Sequence, residues 1–311
     1  MSAEPLARRK GSAFGRVLCD WRRKRGLSQL DLALASAVSQ RHISFLESGR
    51  AQPSRDMVLR LATVLDIPLR AQNVLLVAAG FAPIYQERDL TDPEMRQVRK
   101  ALDCLLRQQE PYPAMVIDRR WNLLVGNEAA TQLLAWLRDP ASMPAHMRAD
   151  GRLNLLRALC HPDGLRPYIQ NWPTVAGWLI ERIHREAVAD GQSDTTMALL
   201  REVLAYPEVP RAWQIPNWEA PHEPLLTVVL AKDDRVLQFL TTITTFGTPH
   251  DITLQELRVE CFFPADEATE RLLQTWIHHG ARPASPEPPK GAAAESARRA
   301  RMTPRKQPSR M

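Results

Sequence analysis

Residues 28–50, SQLDLALASAVSQRHISFLESGR, constrain the fold of this chain more than any other stretch. Two short helical signals meet there across a very tight turn. Ser28 stands before the first signal with Asp31 three residues on, a shortened capping box. Two crossed helices need a small residue where they touch, a tight turn and then an apolar plug. Ala33, Ser36-Ala37 and Val38 supply these in order. The second signal runs from about Ser39 to Glu47 and stops at Ser48-Gly49. Ile43 and Leu46 turn inward, while Ser39, Gln40, Arg41 and Ser44 form a polar face at its start.

The flanks continue the helical period. Phe14, Val17, Leu18 and Trp21 fall at i, i+3, i+4 and i+7, one apolar stripe that Gly26 ends. The Arg22–Arg25 run that follows reads as a solvated basic face. A fourth helix starts at Ser54, with Asp56 in its first turn, and buries Val58, Leu61, Ala62 and Leu65. A fifth opens at Pro68 and closes at Gly80.

Charge is partitioned along the 311 residues. Residues 1–90 hold 14 Lys and Arg against 8 Asp and Glu, residues 91–280 hold 19 against 25, and residues 281–311 hold 8 against 2. The overall +6 therefore conceals a basic head, an acidic body and a basic tail, and a basic head suits a polyanionic partner. The start of the chain has basic residues but no apolar run behind them, so no export signal is expected. The four cysteines are far apart, as reduced thiols of a cytoplasmic protein would be.

With its flanks, LSQLDLA, VSQRHISFLESGR and PSRDMVLRLATVLDIP, the segment resembles the Cro/C1-type (XRE family) helix-turn-helix domain over about residues 13–80. The resemblance implies binding to double-stranded DNA, and because a lone head contacts one half-site, a homodimer on a palindromic operator is expected. It implies that Gln29 donates to a backbone phosphate, that Gln40 and Arg41 reach base edges with Ser44 and Phe45 further along, and that Ser39 and Arg50 lie near phosphates. The chemistry agrees, since Gln pairs bidentately with adenine and Arg with guanine. Phe45 either packs on a thymine methyl or covers the helix. Ala37 occupies a turn position where the family usually has glycine, because the backbone there is left-handed; alanine costs on the order of 1 kcal/mol in it.

Beyond the head, a helix from Asp92-Pro93 carries Met95, Val98, Leu102 and Leu105 on one face. Ala114–Ile117 and Trp121–Val125 are strand-like runs around a turn at Asp118-Arg119-Arg120, and Asn127 opens a helix. Val175, Trp178, Leu179 and Ile183 stripe a helix over 175–189. Strand signals follow at Leu225–Leu230, Val236–Phe246 and Ile252–Phe263, with a hairpin turn at Asp233-Asp234, and then a last helix over about 266–277. The fold class expected is α+β, an all-α five-helix head followed by an antiparallel sheet domain with helices. The organisation expected is a basic arm at 1–12, the head at 13–82, a connecting helix at 83–110, the sheet domain at 111–280 and a disordered tail at 281–311.

The run AMVIDRRWNLLVGNEAATQLL resembles the start of a PAS-type sensor domain. Together with Asn171-Trp172 and FFPADEAT, residues 95–278 resemble the body of the MmyB-like regulators. That resemblance implies a cavity between sheet and helices for a small apolar, fatty-acid-like ligand. Inward residues offered for it are Met115, Ile117, Leu123, Trp178, Phe239 and Ile243, each of which also suits ordinary core. There is no HxxxH pair, no GxSxG elbow and no phosphate-cradling glycine loop, so neither a metal nor a cofactor nor catalysis is expected. The alternative reading is a DNA-bound scaffold whose body recruits a protein partner without a small molecule.

Overall fold

A computed structural model describes residues 12–189, 194–215, 225–247 and 249–278. The basic tail, and the arm up to residue 11, lie outside the described residues, as do residues 216–224.

Five helices make the head: α1 Ala13–Lys24, α2 Gln29–Ser36, α3 Gln40–Ser48, α4 Arg55–Val64 and α5 Leu69–Ala78. Four of them start at a serine whose hydroxyl accepts a backbone N–H of the first turn: Ser12, Ser28, Ser39 and Ser54. The capping box at Ser28 is complete, with Asp31 accepting the Ser28 N–H in return at 2.8 Å. Their apolar stripes meet in one core of Phe14, Leu18, Leu32, Ile43, Leu46, Leu61 and Leu75, all at or near zero exposure.

The connection runs through α6, Arg96–Gln109, preceded by a single 3-10 turn at Pro93–Met95. Its buried face is Met95, Leu102 and Leu106; Leu105, expected inside, is 38% exposed. The helical period accounts for this, since 102 and 106 are one turn apart whereas 105 has rotated off the stripe.

The body is built on a five-stranded antiparallel sheet. In chain order come β1 Ala114–Ile117, β2 Leu123–Gly126, α7 Glu128–Leu137, the short hairpin β3 Arg148–Ala149 and β4 Arg152–Leu153, α8 Leu155–Cys160, α9 Trp172–Ala189 and α10 Asp194–Leu204. Then follow β5 Thr227–Lys232, β6 Arg235–Thr244, α11 Ile252–Glu256, β7 Arg258–Pro264 and α12 Glu267–His278. The strand order is β2-β1-β7-β6-β5, so β7 enters between β1 and β6. The expected strand over 252–263 is corrected here. Its first five residues form α11, because Asp251 caps them through the Leu254 N–H, and the strand begins at Arg258.

The sheet has two different faces. Ala114, Val116, Leu257 and Val259 pack on Leu102 and Leu106 of α6. Met115, Ile117, Leu237 and Phe239 face the larger core formed with α7, α8, α9 and α12. No helix among the described residues is long and apolar enough to cross a membrane.

Candidate nucleic-acid interface and ligand cavity

The turn between α2 and α3 sets the angle of the second helix. Ala37 sits there at φ 53°, left-handed, the conformation in which an L-residue is strained. Gly49, at φ 76°, closes α3 where the Ser12 backbone approaches; a Cβ there would meet Ser12 N at 2.8 Å. Gly15 brings α1 equally close, since a Cβ on it would lie 2.4 Å from the Glu47 carbonyl oxygen.

Beneath α3 lies an ion pair that sequence reasoning missed. Glu47 Oε1 accepts from Arg22 Nε at 2.6 Å and Oε2 from Arg22 Nη2 at 3.0 Å, with the two side chains 10% and 8% exposed. Arg22 also donates to the Leu27 carbonyl. Burial works against the Glu47 charge, but the hydrogen bonds from Arg22 and Gln29 outweigh it and hold the carboxyl below the usual range. The run Arg22–Arg25 is therefore only partly a solvated face. Arg22 is inside, and Arg25 donates to the Leu65 and Asp66 carbonyls while lying over the Trp21 ring. A hint existed in the sequence: Arg22 follows Trp21 on the buried stripe and Glu47 follows Leu46.

The seven residues singled out for DNA contact occupy the start of α2 and the length of α3. Ser39, Gln40 and Arg41 are exposed at the N-terminal end of α3, and Ser44 and Phe45 are half-buried one turn on. The Ser39 hydroxyl accepts from His42 N at 3.2 Å, which leaves its proton available as a donor. Phe45 lies beneath two cations, with the Arg41 guanidinium 5.2 Å and the Arg50 guanidinium 5.8 Å from its ring centre. Gln29 is already engaged, donating to Glu47 Oε2 at 2.8 Å.

Head and body are clamped together. Gln255 accepts the Leu69 N–H, and Arg70 forms ion pairs with Glu256 at 2.8 Å and with Glu87. Arg88 pairs with Asp251 at 2.9 Å, and Arg119 shares Glu256. A polar cleft of about 480 Å³ opens along this junction.

An apolar cavity of about 70 Å³ lies on the larger-core face of the sheet, walled by Met115, Leu134, Leu155, Val175, Leu179 and Phe262. Thr241 and Glu260 are its polar lining. Of the six residues offered for such a cavity, Met115 lines it. Ile117 and Phe239 are fully buried core; Leu123 and Trp178 are partly buried against that core. Ile243 is half-buried and lies opposite Glu260 in the register of β6 and β7. Much of the wall comes instead from α7, α8 and α9, whose leucines carry no mark that separates lining from filling. Among the described residues no group of three metal-ligating side chains comes together.

Residues 98–275 match the MmyB-like transcription regulator ligand binding domain, and residues 20–72 match a helix-turn-helix family. Among solved structures, the clp gene regulator ClgR from Corynebacterium glutamicum is 27% identical over 35% of this chain and 95% of its own, with a TM-score of 0.20. An RNA-binding light-oxygen-voltage receptor is 12% identical over 87% of this chain and 66% of its own, with a TM-score of 0.25. No curated protein matches the chain.

Proposed function

The chain belongs to the MmyB-like transcription regulators, a helix-turn-helix head on that family's ligand-binding domain, and we propose that it reads a palindromic operator through α3 and answers a small apolar ligand held in its body. The observation that carries the first part is the exposed trio Ser39, Gln40 and Arg41 at the start of α3, on a head with surplus positive charge. Gln40 and Arg41 take base edges, Ser44 and Phe45 extend the contact, and Ser39, Gln29 and Arg50 take phosphates. Gln29 reaches a phosphate with the amide proton that Glu47 does not use. One head covers a single half-site, so specific binding requires a homodimer whose heads lie about 34 Å apart.

The cavity supports the second part, because an apolar wall with one or two polar groups is how small-molecule sites are lined. A fatty-acid-like molecule larger than the present space must displace wall side chains, since such sites usually run to roughly 300–1,000 Å³. That small volume is also the observation favouring the second reading, a DNA-bound scaffold whose body recruits a protein.

Selection of the full chain against random DNA tests the proposal. An inverted repeat is expected, and a single unrepeated site would overturn the palindrome. On the selected site Arg41→Ala should cost about 1–3 kcal/mol while leaving affinity for random DNA nearly unchanged. Equal loss on both would make Arg41 a phosphate contact. A solvent extract of the natively purified protein, analysed by mass spectrometry, should yield a small apolar molecule near one per chain.

A further inference from the structure

We propose that the cleft between head and body is a second site, which binds a small phosphorylated molecule whose phosphate takes the place of the Glu87 carboxylate on Arg70. The site shares no lining residue with the apolar cavity and stands independently of the ligand expected there.

The cleft, of about 480 Å³, falls within the roughly 300–1,000 Å³ usual for small-molecule sites. Five arginines line it: Arg70 of α5, Arg88, Arg119 and Arg120 of the turn after β1, and Arg152 of β4. A guanidinium fork suits phosphate, because two of its N–H groups meet two oxygens in one plane. Among the described lining residues none is aromatic, so nothing there stacks a base. Leu90, Leu124 and Leu257, with Thr195 and Thr253, suit instead the short polar body of a sugar or polyol phosphate.

The acids of the lining do not match these cations one for one. Asp118 is taken up within its own turn, accepting the Arg120 and Asn122 backbone N–H groups and the Asn122 side-chain amide. Asp89 likewise accepts the Thr91 N–H and O–H. Among the described residues, Glu87 and Glu256 are left to bond arginine from within the lining, while Asp251 holds Arg88 from outside it. The ion pair of Arg120 is a loose one, 3.8 Å to Asp150 with both side chains exposed. Arg152 is exposed, lies within electrostatic reach of Asp89 and makes no ion pair with a described residue.

Glu87 is the exchangeable partner. Its two oxygens meet Arg70 Nη1 and Nη2 at 2.6 and 2.5 Å, the two-point grip that phosphate also makes. Its side chain is 55% exposed and belongs to the loop between α5 and Pro93, whereas Glu256, 18% exposed, is built into α11. Hydrogen bonds from Arg70 hold the Glu87 carboxyl below its usual range against the cost of burial, and the charges of Arg70, Arg120 and Arg119 add to them. A phosphate ester carries close to two negative charges above pH of about 6, and three acceptor oxygens. It can therefore grip Arg70 and reach neighbouring guanidiniums that one carboxylate leaves unserved. Its binding releases Glu87, and with it the loop, so the ligand acts on the head by preferring the released state.

Calorimetric titration of the full chain at pH 7.5 with ribose 5-phosphate, inorganic phosphate and ribose tests this. Both phosphates should bind and ribose should give no heat of binding. Ribose binding as well as its phosphate would remove the anion from the role, and silence from both phosphates would refute the site. Arg119→Gln should weaken ribose 5-phosphate by about tenfold or more, and its thermal transition checks that it folds. Unchanged affinity would place the phosphate elsewhere, as on the basic surface of the head. Glu87→Gln should tighten binding by about threefold or more, because the competing carboxylate is gone. Weaker binding in that variant would overturn the displacement. Amide exchange over residues 81–90 should quicken on saturation with ribose 5-phosphate; unchanged or slower exchange would show that Glu87 stays on Arg70.

Discussion

Glu47→Ala removes the carboxylate that holds α1, α2 and α3 in register. The Arg22 guanidinium, with its side chain 10% exposed, keeps only the Leu27 carbonyl and a long contact to Cys19 Sγ. Breaking a buried pair from one side costs about 3–5 kcal/mol, far above the about 0–1 kcal/mol of an exposed pair. The remaining carbonyl contact places this case toward the lower end. Amide exchange over residues 13–48 of the full chain, followed by mass spectrometry, reads the change locally. At about 1.4 kcal/mol per tenfold, exchange from the α1 and α3 amides should accelerate by roughly two to three powers of ten. The double variant Arg22→Met/Glu47→Leu should recover most of that loss, because apolar groups of similar size can replace a buried pair. An acceleration below about fivefold for Glu47→Ala, the scale of a surface pair, would refute the assignment of Glu47 as a buried structural hub.

Acid should act on the same carboxylate. Its pKa is lowered in the fold, so its stabilisation is complete above the unfolded value of about 4.3 and is lost as pH falls through the lower folded value. Helicity of the head from pH 6 to 2 should show this loss in the wild type and a shallower one in Glu47→Gln. Ala37→Gly relieves the left-handed alanine at φ 53° and should raise head stability by about 0.5–1 kcal/mol, seen as a higher Tm; a lower Tm would show that the strain is absent. Glu256→Gln weakens the contacts of both Arg70 and Arg119 and should speed protease nicking over 79–92 between head and body. An unchanged rate would mean that the other junction contacts suffice.

The head was legible residue by residue because its determinants are local. A serine cap acts on an N–H three residues away, an apolar stripe repeats every turn, and the left-handed turn at Ala37 follows from the two helices beside it. Ser28, Ser39 and Ser54 therefore stand where the sequence placed them, as do Ile43 and Leu46. Sequence also divided the head from a sheet-bearing body and marked β1, β2, the Asn127 cap and the turn at Asp233. Alternation misled at 252–256, because a five-residue apolar-polar pattern suits one turn of capped helix as well as a strand.

What tertiary structure alone decided are the encounters between distant residues. Arg22 meets Glu47 across 25 positions, Arg70 meets Glu256 across 186, and β7 enters beside β1 from the far end of the body. The cavity belongs to the same class: its leucines are core residues in the sequence, and only the way α7, α8 and α9 lie over the sheet leaves space among them. Glu260 shows the difference most plainly. In the chain it is one acid in an alternating strand, and it becomes a buried carboxyl within electrostatic reach of Arg182 and Arg258 only when α9 covers that face. Local patterns follow from the short reach of caps and helical periods, whereas burial and charge pairing are properties of the packed whole.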